Sequence, residues 1–71
     1  MNKITFKIES EYIKLGELLK CCNVVSSGGE AKMEITLGNC SVDGLVCLQR
    51  GKKIRSNQKV TIRGEYEIEV V

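Results

Sequence analysis

No histidine and no tryptophan occur in the 71 residues. Histidine is the commonest general base near neutral pH, and nothing else in the chain makes a plausible nucleophile–base pair. Its absence also excludes a mixed cysteine–histidine zinc site. A chain this short buries only about 60% of its unfolded surface and has no room for a large catalytic cleft. An enzyme is therefore not expected. No apolar run approaches about 18 residues, so no transmembrane helix is expected. The opening residues, Met1-Asn2-Lys3-Ile4-Thr5-Phe6-Lys7, alternate polar and apolar and lack the apolar core of a signal peptide. A cytosolic location with no membrane partner is the expectation.

Aromatic residues are also scarce, with only Phe6, Tyr12 and Tyr66. Phe6 and Tyr66 fall on strand faces that read as buried, so a stacking platform for single-stranded bases is not expected. The cysteines are Cys21, Cys22, Cys40 and Cys47, and none forms a C-x-x-C pair. Adjacent cysteines rarely serve one tetrahedral ion. The bland reading, small buried hydrophobes in a reducing compartment, is preferred over a disulfide or a metal. No cofactor is expected.

The charge that is present is unevenly placed. The whole chain carries +2. Between residues 50 and 63, however, Arg50, Lys52, Lys53, Arg55, Lys59 and Arg63 occur with no acid among them. The last eight residues hold Glu65, Glu67 and Glu69 and no base. A block of cations in a nearly neutral chain implies one positive face and an anionic partner. The plain alternative is a solvated surface.

Periodicity outlines the elements. Ile4, Phe6 and Ile8 alternate with polar residues, as in a half-buried strand at a sheet edge. Leu15, Leu18, Leu19 and Cys22 recur at helical spacing, with Glu17 in the first turn and Lys20 near the end. Lys14 is a weak cap for that helix. Val24 and Val25 are expected to tuck between two helices. A second helix is expected over residues 28–37, closed by Gly38 and Asn39. It opens on Ser27-Gly28-Gly29-Glu30, a Ser-x-x-Glu capping box. There the Ser27 hydroxyl accepts from the Glu30 N–H, and the Glu30 carboxylate reaches back to the Ser27 N–H. Gly28 and Gly29 are poor helix formers unless a bare backbone is needed, for instance where a phosphate approaches the helix N-terminus. Gly28 and Ala31 also allow close packing on the first helix. Cys40-Ser41-Val42, the turn Asp43-Gly44 and residues 45–48 read as a hairpin. Residues 49–55 read as a basic loop and Ser56-Asn57-Gln58 as a turn. Val60 and Ile62, then Tyr66, Ile68 and Val70, mark two further strands. The sum is one α+β domain over residues 1–71, two short helices packed on a small, mainly antiparallel sheet of about five short strands.

Three of these signals occur in a distinctive order. They are the Ser27-Gly28-Gly29-Glu30-Ala31-Lys32 helix start, the Gly38-x-x-x-Val42-Asp43-Gly44 hairpin, and the Arg50-Gly51-Lys52-Lys53-Ile54 loop. Together, over about residues 13–63, they resemble the RNA-binding domain first named for ribosomal small-subunit protein S-four, also called the alpha-L motif. With its leading strand, its Tyr12-Ile13-x-Leu15-Gly16-x-Leu18-Leu19-Lys20 entry and its Ser26-to-Lys32 core, the whole chain is similar to the small stand-alone YaaA-like bacterial members. The resemblance implies a non-catalytic protein whose second helix and post-hairpin loop form one face gripping structured RNA. The matching positions are Ser27, Gly28, Gly29, Glu30 and Lys32, with Arg50, Lys52, Lys53 and Arg55. Many family members carry arginine where this chain has Gly28, so one cation is missing from that face.

The residue chemistry agrees with the resemblance. Lys and Arg neutralise phosphates and release counterions, and the Arg50 and Arg55 forks suit bidentate contacts. Folded or double-helical RNA, such as ribosomal or transfer RNA, is the expected partner of a monomer. Glu30 is read first as a capping acid. A rival reading is a protein-interaction module. An edge strand and the acidic stripe of the last strand would meet a partner, or the basic loop would dock an acidic protein surface on a ribosomal or replication assembly. Nothing but the resemblance separates RNA from DNA.

Overall fold

A computed structural model describes all residues, 1–71. The elements run β1 (Asn2–Phe6), β2 (Ile13–Lys14), α1 (Leu15–Cys21), α2 (Gly28–Thr36), β3 (Cys40–Val42), β4 (Leu45–Val46), β5 (Lys53–Ile54), β6 (Lys59–Ile62) and β7 (Tyr66–Val70). Five strands form one sheet in the order β1-β7-β6-β3-β4. Its pairs are antiparallel except β1 with β7, which is parallel. The fold is α+β, as expected, and β1 is an edge strand.

The alternating residues face one core. Val60 and Ile62 of β6, Ile68 and Val70 of β7, and Cys40 and Val42 of β3 are buried with Leu15, Leu18 and Leu19 of α1 and Ala31 and Ile35 of α2. Val24 and Val25, between the helices, are buried too. Apolar burial of this kind supplies the main driving force for so small a chain. Asn23 takes φ 57° and closes α1, with the Val24 N–H donating to the Leu19 carbonyl. Gly38, at φ 80°, does the same for α2. Asp43 (φ 51°) and Gly44 (φ 86°) make the tight turn that the sequence signals.

Four local expectations are corrected. The strand after that turn ends at Val46 rather than continuing to Leu48, and its side chains lie largely in solvent. Cys21 is exposed and Cys22 and Cys47 are half-buried; Cys40 alone is fully in the core. The capping box is half formed. Ser27 Oγ accepts from the Glu30 N–H at 3.2 Å, but Glu30 Oε2 accepts from the Ser26 hydroxyl at 2.8 Å instead of reaching the Ser27 N–H. Finally, the basic stretch is not only a loop. Lys53 and Ile54 pair with Lys14 and Ile13 in a second, two-stranded antiparallel sheet.

Candidate nucleic-acid interface

The small β2–β5 sheet decides where the cations stand. It leads straight into α1, and the preceding loop is bound onto that helix by its backbone. The Leu15 N–H donates to the Lys52 carbonyl at 2.9 Å, and the Gly16 N–H to the Arg50 carbonyl at 3.0 Å. A helix start otherwise leaves such amides unpaired. Lys14, the N-cap residue, offers no side-chain bond, so the 50s loop supplies acceptors in its place. The Arg50 side chain then crosses the bare Gly16. A Cβ there would lie 2.6 Å from Arg50 Cγ.

This arrangement joins the two motifs that lie more than 20 residues apart in sequence. A groove of about 400 Å³ runs between α1, the start of α2 and the loop; its walls include Lys14, Lys20, Gly28, Arg50 and Gly51. Gly28 and Arg50, both expected at the interface, thus share one concavity. Lys53 and Arg55 stand beside it around Tyr12, with Lys53 Nζ 4.9 Å and Arg55 Cζ 5.7 Å from the ring centre. Lys32 is exposed on α2 but does not line the groove, and Lys52 lines a different hollow beside Leu45 and Leu48. Ser27 and Glu30 are occupied by the capping contacts above.

Gly28 and Gly29 have no reason within the chain to be glycine. Neither has a positive φ. A Cβ on Gly28 would meet nothing within 4 Å, and one on Gly29 would meet only Ser27 Oγ at 3.9 Å. The expectation that Gly28 allows close helix packing is therefore wrong; the buried Ala31 performs that role.

The electrostatics separate two kinds of cation. Arg63, one of the six in the basic block, is structural. Its Nη1 lies 2.9 Å from Glu34 Oε1 and its Nε 3.8 Å from Glu65. Glu34 also accepts from the Asn39 amide at 2.9 Å. That bond, and then Arg63, hold the Glu34 carboxyl below its ordinary pKa. No other Lys or Arg lies within ion-pair reach of a carboxylate. Arg50, Lys52, Lys53 and Arg55, like Lys14 and Lys20, are left free for an external anion. Lys14, Lys20, Gly16 and Tyr12 are not among the site residues expected from the sequence, where Lys14 reads only as a weak cap and the other three only as part of the entry to the first helix.

The family model for the S4 domain matches residues 6–71, nearly the whole chain. The chain belongs to the S4 domain family. S4 domains are generally RNA-binding modules without catalytic activity. A comparison with curated proteins gave no match. The S4 assignment agrees with a groove whose cations are free and whose helix start is bare. No group of cysteine, aspartate and glutamate side chains is arranged to hold a metal ion, and no helix is long and apolar enough to cross a membrane.

Proposed function

We propose that residues 1–71 act as one non-catalytic RNA-binding domain, a cytosolic monomer that grips structured or double-helical RNA, such as ribosomal or transfer RNA. The observation that carries this reading is the groove in which Arg50, Lys14 and Lys20, none of them ion-paired, stand with the one acid Glu17 around the open start of α2. Backbone N–H groups at Gly28 and Gly29 approach a phosphate unobstructed, and the helix dipole favours the anion. Cations at this spacing read the backbone and shape of a duplex more than base edges. Arg50, Lys53 and Arg55 are assigned phosphate contacts, and Gly28 and Gly29 the close approach. Lys32 and Lys52 are assigned longer-range attraction, and Ser27 and Glu30 hold the helix start in place.

The rival protein-docking reading loses part of its support. The strand bearing Glu67 and Glu69, with Glu65 just before it, is flanked by β1 and β6, so it has no free edge for a partner strand.

The test is fluorescence-anisotropy titration of a labelled RNA hairpin over a range of salt, with duplex DNA and single-stranded RNA as competitors. With about four to six phosphates contacted, log affinity falls with log salt at a slope of roughly −3 to −5. Arg50→Ala and Arg55→Ala each flatten that slope by about one unit with folding intact. Absence of hairpin binding at low salt would sink the reading and return the basic face to protein docking.

A further inference from the structure

Lys14 stands where the fold disfavours a cation twice over. It is the N-cap residue of α1, at the positive end of the helix dipole, and it makes no capping bond. It also lies directly opposite Lys53 in the β2–β5 ladder, and like charges facing each other across a ladder repel. That ladder has only two residue pairs to absorb the cost. Glu17 lines the same groove yet makes no ion pair with Lys14. Local choices that contradict the fold are expected at functional sites.

The neighbours of Lys14 show what such a position is for. Lys14 and Lys53 are a ladder pair and share one face, and Tyr12 and Arg55 flank that ladder at its other end. The Tyr12 ring lies beneath Lys53 Nζ and Arg55 Cζ. Its π face attracts both cations and holds them near Lys14 without neutralising them. Three uncompensated cations and one aromatic ring therefore share a face. An acid at any of these positions would have relieved the repulsion, and none is present.

We infer that Lys14, Lys53 and Arg55 form the seat of one backbone phosphate, with Tyr12 as the positioning residue that gathers two of its three cations. The inference rests on the RNA-binding reading; it gives Lys14, there only part of the groove wall, a phosphate contact and adds Tyr12. The seat is exposed to solvent, so a free phosphate ion gains little there. A phosphate tethered to neighbours already held in the Arg50 groove arrives at high effective concentration.

The opposed signs of two effects test this. Lys14→Gln removes the repulsion, so the melting temperature of the free protein rises by about 1–5 °C. The same variant binds the RNA hairpin about 5–10-fold more weakly near 0.1 M salt and flattens the salt slope by about 0.7–0.9. Tyr12→Leu keeps every charge, so it weakens binding about 2–5-fold at an unchanged slope. Tyr12→Phe keeps the ring and binds like the parent. If the parent protein binds the hairpin and both Lys14→Gln and Tyr12→Leu bind equally well, the seat is wrong while the RNA reading stands. If the parent protein binds no hairpin, both fall. Millimolar inorganic phosphate that stabilises the parent protein as strongly as the hairpin, through Lys14, would overturn a backbone phosphate in favour of a free anion.

Discussion

Individual residues in this chain divide into those that the fold needs and those that it merely tolerates. Gly28 is tolerated. With open space around its Cβ position and an ordinary helical backbone, alanine would fit and would form helix better. Gly28→Ala should therefore stabilise the protein by about 0.4–1 kcal/mol, read in a urea melt. It should weaken hairpin binding, because the new methyl group stands where the phosphate approaches. A stabilised variant with undiminished binding would show that the bare helix start is not used. The cysteines divide by environment. Burial, and then its neighbour Cys21, push the Cys22 thiol up to about 11. Burial, and then Glu34, push the Cys40 thiol up to about 11 as well. Both stay protonated and unreactive at neutral pH. Alkylation at pH 7.5 followed by peptide mapping should label the exposed Cys21 well before either; rapid labelling of Cys40 would contradict its place in the core.

At the scale of elements, the contact that matters most is between the 50s loop and the start of α1. Gly16 is the point of closest approach, and Gly16→Ala tests it. The methyl group would meet Arg50 Cγ, which lies near the backbone and cannot simply swing clear. Arg50 must leave the groove, so hairpin affinity should drop about as far as in Arg50→Ala, while circular dichroism of the helices stays intact. Affinity equal to that of the parent protein would place Arg50 outside the interface. This element pair also marks the limit of what the sequence discloses. The strands with internal alternation, such as Tyr66-Ile68-Val70, and the Asp43-Gly44 turn are local patterns and were legible. Gly28 and Arg50 stand out separately in the sequence, and the fold sets both on one groove. The β2–β5 ladder was not, because strands of two residues have no period to read, and their pairing spans about 40 residues. The cap on α1 was missed for a related reason: its acceptors are backbone carbonyls of Arg50 and Lys52, which carry no residue signature. Arg63 looked like one more free cation because Glu34, 29 positions away, meets it only in the folded chain.

Across the whole molecule, two carboxylates tie distant segments together and set the response to acid. Glu34 links α2 to Asn39 and to Arg63. Asp43 accepts from the Lys59 N–H at 2.9 Å and from the Gln58 amide at 3.2 Å, which joins the β3–β4 turn to the start of β6. These bonds hold both carboxyls below their ordinary pKa. A depressed folded pKa means that the stabilisation is complete above the unfolded value, about 4, and disappears as pH falls through the folded one. The Cys22 and Cys40 thiols act in the opposite direction. Their folded pKa lies near 11 against an ordinary 9.0, so their contribution is complete below about pH 9 and is lost as pH rises toward 11. With no histidine to titrate in between, the melting temperature should be flat from about pH 5 to pH 8 and fall on both sides. Glu34→Gln and Asp43→Asn should each lower the plateau slightly and make the acid limb shallower, because less stabilisation remains to be lost there. Cys22→Ala should flatten the alkaline limb alone. An acid limb identical in the parent protein and in both carboxamide variants would mean that these two tethers do not hold the hairpins to the rest of the fold.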